Sequence, residues 1–225
     1  MQYKEKVAIF DFCETLANFQ TADAYVEYIR ERSGNKSMKN KERFRVFLRK
    51  TKVMAIANVL FPKGSMNKRL VLWQLKGFSK SELEQYARLY YERKIKPNLI
   101  AKIIDELKQL QLLNWRIVIA SAGYEIYLKY FCDDFCIPLQ DLIAVKIKFK
   151  NDICMGSFDG GDRLWDKTDK LESLLDRKSV VIRAYSDSIS DLPLLSWADE
   201  AYAVRRIDRQ EWSKKYNFKE IVWQI

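Results

Sequence analysis

The sequence predicts an α/β fold of the Rossmann-like kind, a mainly parallel sheet with helices, carrying an all-helical segment inserted after its first strand. Three observations predict it. Short apolar runs at residues 7–10, 116–120 and 180–182 each end in polar residues, as buried strands do at the rim of a sheet. Helix-length segments with apolar residues at helical spacing separate them. Between residues 21 and 93 that spacing runs on with no strand pattern.

The β-branched and aromatic run of residues 7–10 ends on Asp11, a carboxylate at the carboxyl end of a strand, where open α/β sheets bind ligands. Residues 21–30 then have helical spacing, with Thr21 or Asp23 placed to cap them, and Ser33, Gly34 and Asn35 break the pattern. Residues 30–52 hold ten basic side chains against two acidic ones, the densest positive segment of the chain. A solvated helix face is the plain reading of such a run, and attraction of an anion the sharper one. Phe44, Phe47, Leu48, Met54, Ile56, Val59 and Leu60 continue a helical pattern that Pro62 and Gly64 end. A third helix is predicted over 67–75. Ser79 and Glu82 form a capping box that opens a helix to about residue 93, and Pro97 fits the first turn of the next, 98–112.

From residue 115 strand and helix alternate again. A strand at 116–120 precedes a helix at 124–136, and residues 142–149 alternate as one half-buried strand. Residues 150–152 turn a hairpin back through 153–157. A helix begins at Lys167, a strand follows at 180–182, a short helix at 191–197 and a last strand at 201–204.

Composition removes whole classes of chemistry. The chain has no histidine, so it has no Ser-His-Asp triad, no His-ligated zinc and no imidazole base. Four cysteines without C-x-x-C spacing are neither a disulfide framework nor a zinc site, and Cys132 and Cys136 would share a helix face as packing thiols. A formal charge of +10 favours anionic partners: phosphate esters, nucleic acid or an acidic membrane surface. Charged Lys4, Glu5 and Lys6 lead straight into the first strand and no apolar run reaches spanning length, so the expectation is a cytoplasmic protein without signal peptide or membrane span.

Four stretches carry the chemistry, in order: Asp11-Phe12-Cys13-Glu14-Thr15; Ser121-Ala122-Gly123; Lys167 in Asp166-Lys167-Thr168-Asp169-Lys170-Leu171; and Ser186-Asp187-Ser188-Ile189-Ser190-Asp191. This order resembles the four motifs of the haloacid dehalogenase-like (HAD) superfamily, most closely its phosphoserine phosphatase-like branch. The resemblance implies a HAD core formed by residues 1–18 and 95–225, with residues 19–94 as an inserted helical cap of the C1 type. It implies Asp11 as nucleophile through an aspartyl-phosphate, and Mg²⁺ held by Asp11, the Cys13 carbonyl and Asp187 with Asp191 in support. Ser121, Ala122 and Gly123 would cradle the phosphoryl oxygens, Lys167 would neutralise them with Lys170 as the alternative, and Thr15 and Gln20 would face substrate.

Two departures qualify the likeness. The branch places a second Asp, the general acid and base, two residues after the nucleophile, where this chain has Cys13. A thiol with an ordinary pKa of about 8.5 is a poorer proton donor, and such help is worth about 10²–10⁴-fold. Adjacent Glu14 is a substitute whose side chain points elsewhere if residues 13 and 14 are extended. Three outcomes stay open: a slow phosphatase, a phosphotransferase, and a scaffold that binds phosphorylated ligand without turnover. The second departure is Gln20, where phosphoserine phosphatases carry a Glu that reads the substrate's ammonium. A neutral amide and a basic cap suit a more anionic small monoester, such as a sugar phosphate, nucleotide or phospholipid head group. A basic nucleic-acid-binding module is the rival reading, and the helical spacing of its aromatics favours core packing instead.

Overall fold

The computed structural model describes residues 4–51, 66–160, 167–209 and 212–224. Met54, Ile56, Val59, Leu60, Pro62, Gly64 and Asp166 lie outside the described residues.

A six-stranded, all-parallel sheet has the order β3-β2-β1-β6-β7-β8. Its strands are β1 (Glu5–Phe10), β2 (Arg116–Tyr124), β3 (Leu142–Val145), β6 (Val180–Ser186), β7 (Glu200–Arg206) and β8 (Lys219–Trp223). Val7 to Phe10 are fully buried, as a central strand covered on both faces requires. Alternation divides them: Ala8 and Phe10 join the larger apolar cluster, Val7 and Ile9 the smaller one on the opposite face. The chain passes from β1 to β2 on one side and later returns to β6 on the other. That reversal opens a crevice at the carboxyl ends of β1 and β6.

Among the described residues, the helical segment after β1 holds α1 (Thr21–Arg32), α2 (Lys36–Lys50), α3 (Met66–Trp73) and α4 (Lys80–Tyr90). Gln20, not Thr21 or Asp23, occupies the cap position of α1. Asn35 caps α2 by accepting from the Ser37 and Met38 amides, and the predicted capping box of Ser79 and Glu82 opens α4. The two ends of the helical segment lie side by side, since the Asn18 amide donates to the Asn98 carbonyl and the Ile100 amide to the Leu16 carbonyl. That pairing holds Leu99 and Ile100 extended. The helix expected from residue 98 therefore begins later, as α5 (Ala101–Leu112), and Pro97 sits in a separate 3₁₀ turn, Lys96–Asn98.

The helical segment and the larger sheet face share one apolar cluster, in which Tyr25, Tyr28 and Tyr90 meet Tyr124 at the end of β2 and Tyr127 just beyond it. Of the buried phenols there, Tyr25 donates to the Leu83 carbonyl and Tyr90 to the Thr21 carbonyl, while the Tyr28 hydroxyl is buried without a partner among the described residues.

Three further expectations need correction. Residues 142–149 are two strands: β3 stays with β2 as far as Val145, and after exposed Lys146 the chain leaves the sheet to form β4 (Ile147–Lys150) against antiparallel β5 (Ile153–Phe158). That hairpin docks on the helical segment, where Cys154 exchanges backbone bonds with Gly77 and Phe78. Gly156, at φ +68°, lets it approach α3, because a Cβ there would stand 2.8 Å from the Lys76 Cβ. Helix α6 (Glu125–Asp134) ends before Cys136, whose φ is +51°, so Cys132 is buried and Cys136 exposed on no common face. The last strand is β8, not β7. Among the described residues no helix is long and apolar enough to cross a membrane.

Candidate active site

Asp11 is the first residue beyond β1, and its amide donates to the Tyr185 carbonyl as the last rung shared with β6. Its carboxylate is buried in the crevice. Lys167, the first residue of α7 (Lys167–Leu174), donates from Nζ to Asp11 Oδ1 and to Asp191 Oδ2, each at 2.7 Å. Burial alone would lower the lysine pKa, but these two carboxylates outweigh it and hold the ammonium protonated, well above its usual range. Lys170, the alternative cation, is exposed on the same helix. Asp191 also accepts from the Ser186 hydroxyl at 2.7 Å, so its Oδ2 is held by two donors.

Residues 12–17 fold into a tight turn, with the Leu16 and Ala17 amides both donating to the Phe12 carbonyl. The turn sets Glu14 at φ +56° and brings Thr15 back over the crevice. The Thr15 Oγ1 accepts from the Asp187 amide at 2.9 Å and stands 3.2 Å from Asp187 Oδ1 and 3.5 Å from Asp11 Oδ2. With a single proton, that hydroxyl can donate to only one carboxylate at a time. Burial, then the nearby Asp11 and Glu14 charges, push the Asp187 carboxyl up to about 8. Burial likewise raises Asp11, with Lys167 opposing.

Cys13 Sγ lies 3.1 Å from Thr21 Oγ1, itself 2.8 Å from the Tyr127 hydroxyl. Burial and the Asp11 charge push the thiol up to about 11, so at neutral pH it keeps its proton. Glu14, at the edge of the same cavity, accepts from Gln20 Nε2 at 2.7 Å and from Arg209 at 2.9 Å. One pair thus accounts for two predicted residues: Gln20 binds Glu14, the carboxylate named above as a substitute for the second Asp.

These groups line a cavity of about 510 Å³. The sheet side contributes Asp11, Lys167, Asp187 and Ala122, and the helical side Gln20, Asp23, Asn67 and Lys68. Ser121 and Gly123 sit behind Ala122, where the Gly123 amide donates to Ser121 Oγ at 3.0 Å. Only glycine fits at 123, since a Cβ would lie 2.7 Å from the Tyr127 hydroxyl. Lys68 and Asn67 were not singled out by sequence, and Asp23 only as a helix cap, because a lysine among the many basic residues of the helical segment carries no mark. Burial lowers the Lys68 pKa, the sign of an ammonium inside the cavity rather than on the surface. Trp212 was equally unmarked, and its indole N–H donates to the Asp187 carbonyl at 3.0 Å, fixing that turn from the far side.

The oxygen-rich pair Asp11 and Asp187 is the donor set here that suits a hard divalent cation, which would relieve the repulsion raising Asp187. Among the described residues no three His, Cys, Asp or Glu side chains are grouped to hold a metal. A cation at this place would therefore keep several waters, as Mg²⁺ does.

The profile of the haloacid dehalogenase-like hydrolase family matches residues 8–196. No curated protein sequence matches the chain. Among solved structures, a Bordetella pertussis Tohama I protein of unknown function is similar at TM-score 0.73 and 16% identity, covering 97% of this chain and 98% of that one. A phosphoserine phosphohydrolase-like protein from Francisella tularensis subsp. tularensis SCHU S4 is similar at TM-score 0.60 and 18% identity, with 97% and 94% covered. Phosphoserine phosphatase in its apo form is similar at TM-score 0.57 and 17% identity, with 89% and 86% covered. At these identities the likeness is one of fold.

Proposed function

The chain belongs to the haloacid dehalogenase-like hydrolase family, and from that premise we propose that it is a Mg²⁺-dependent phosphatase acting on a small, strongly anionic phosphate monoester through an aspartyl-phosphate on Asp11. The observation that carries the reading is Asp11 at the end of the central strand, bonded to a buried lysine at 2.7 Å and joined to Asp187 through the Thr15 hydroxyl. Residues 1–18 and 95–225 act as the core, and residues 19–94 as the cap that supplies Lys68 and Asn67 to the cavity.

Asp11 Oδ attacks phosphorus in line, the P–O bond to the leaving group breaks, and the departing alkoxide takes a proton from solvent water to leave as the alcohol. Lys167 stays protonated and balances charge that collects on the phosphoryl oxygens. Bound at Asp11, Asp187 and the Cys13 carbonyl, Mg²⁺ would supply the remaining neutralisation. Water then attacks the acyl phosphate, releasing phosphate and restoring Asp11. That second step needs a base, and a thiol with its pKa near 11 is neutral and accepts protons poorly. The reading is therefore of a phosphatase slowed in dephosphorylation, with a longer-lived aspartyl-phosphate. Gln20, already bonded to Glu14, offers no anion to a substrate ammonium, and Lys68 adds a cation, so the site suits an anionic leaving group.

The test is phosphate release from a broad panel of soluble monoesters with Mg²⁺. Wild type should turn over slowly, and Asp187→Asn should lose the Mg²⁺-dependent part by on the order of 10²-fold, several kcal/mol of charge stabilisation being at stake. Release that is indifferent to both Mg²⁺ and Asp187→Asn would refute the reading.

A thermal measurement checks the same pair without turnover. Asp187 has its folded pKa near 8 against an ordinary value of 3.8, so the folded state binds that proton more tightly than the unfolded chain. Its contribution is fully present below pH 4 and is lost as pH rises from about 4 to 8. Without divalent cation the unfolding midpoint should show that decline, and added Mg²⁺ should raise it more at pH 8 than at pH 5. An equal rise at both values would contradict the assignment.

A further inference from the structure

The outer face of α2 has a composition that catalysis does not use. Seven of its fifteen residues are basic and one is acidic. The inner side is settled by contacts: Met38 is buried, Glu42 accepts from Arg45 and from Gln74, and Lys41 donates to the Trp73 carbonyl. The lone acid is thus turned inward, against a cation. Outward lie Lys39, Arg43, Arg49 and Lys50, all exposed. Among them stand Phe47, 60% exposed, Phe44 at 49% and Val46 at 37%. Three large apolar side chains within four residues are costly to leave in water on an isolated globule. Below them Phe44 meets Trp73 edge to face at 6.4 Å and opens on an apolar cavity of about 460 Å³, lined also by Leu70, Phe158 and Arg69.

Helical aromatics ringed by exposed cations, with no exposed acid on the helix, match one kind of partner. An anionic bilayer offers both halves: phosphate head groups for the cations and acyl chains for the rings. We propose that the outer face of α2 docks the protein on a membrane surface rich in anionic phospholipid. Phe44, Val46 and Phe47 enter the head-group and acyl boundary, and Lys39, Arg43 and Lys50 contact lipid phosphates. Helix α3 links this surface to the catalytic cavity, since its Asn67 and Lys68 line the one and its Leu70 and Trp73 the other. Docking would hold the cavity within about a helix diameter, roughly 10–12 Å, of the lipid head groups. The proposal does not depend on the phosphatase reading.

The experiment is sedimentation of the full chain with phosphatidylcholine vesicles, with and without phosphatidylglycerol. Sedimentation is expected with the mixed vesicles, weakening as salt is added, and little with phosphatidylcholine alone. Arg43→Gln with Lys50→Gln should weaken binding about 30-fold, from about 1 kcal/mol per basic residue. Phe47→Ser should weaken it on the order of tenfold. These variants should retain wild-type thermal unfolding, and their phosphate release from a soluble monoester should equal that of wild type, whatever its level. The proposal is overturned if the chain stays in the supernatant with both vesicles, sediments equally with both, or sediments undiminished in the variants. It is also overturned if a single-stranded DNA probe binds this face while vesicles do not, which would give the face to nucleic acid.

Discussion

Cys13→Asp should raise steady-state phosphate release about 10²–10⁴-fold, the usual worth of a placed general acid and base. The site is prepared for the carboxyl group. Thr21 Oγ1 is 3.1 Å from the sulfur and is held in turn by Tyr127, so a hydrogen-bond partner waits where a carboxylate oxygen would fall. Burial and the Asp11 charge, which lift the thiol, would lift the new carboxyl in the same direction, toward the neutral range in which it can give and regain a proton. The gain should lie mainly in dephosphorylation. Wild type mixed with a monoester should show a burst and a chain heavier by one phosphoryl group under acid quench, and Cys13→Asp should show neither. If the variant folds and gains nothing, the slow step is not the proton transfer assigned to position 13.

Asp11→Asn should abolish release, by on the order of 10⁶-fold, as the loss of a nucleophile does. It should also leave no phosphorylated chain after quench. Stability separates this from misfolding. Removing one partner of a buried ion pair ordinarily costs about 3–5 kcal/mol, but Lys167 keeps Asp191 at 2.7 Å, and Asp187 loses a repelling neighbour. The variant should therefore unfold at a midpoint close to wild type, and the dependence of that midpoint on pH between 4 and 8 should flatten. A variant that folds and still releases phosphate would remove Asp11 from the chemistry.

The strands that position Asp11, Ser121 and Asp187 were legible because buried parallel strands must be apolar throughout and must stop where they meet the crevice. The capping box at Ser79 and Glu82 was legible because two orphan donors are satisfied by a fixed four-residue pattern. Strand β8 was not, since Lys219 and Glu220 break the apolar run of an edge strand that needs burial on fewer sides. The split at Lys146 was hidden because alternation continues through it, and what ends β3 is where β2 ends, a fact about another part of the chain. Glu14 was read as pointing away if extended. It lines the cavity instead, placed by a left-handed turn and a bond to Arg209, 195 residues distant, which local pattern does not encode. Lys68 and Trp212 reach the site by packing alone.

The place of β1 in the sheet also sets the order in which the protein can assemble. Val7 pairs with Arg116 on one side and with Ile182 on the other, so β1 precedes both of its neighbours in the chain and gains the second only once β6 has been made. Until most of the chain has been made, an apolar strand with both edges bare has only the helical segment and chaperones for company. Contacts so distant in sequence carry a large loop-closure cost before they repay it, which makes for slow folding. On dilution from denaturant, refolding yield should fall as protein concentration rises, with the central strand that carries Asp11 as the segment most exposed to aggregation.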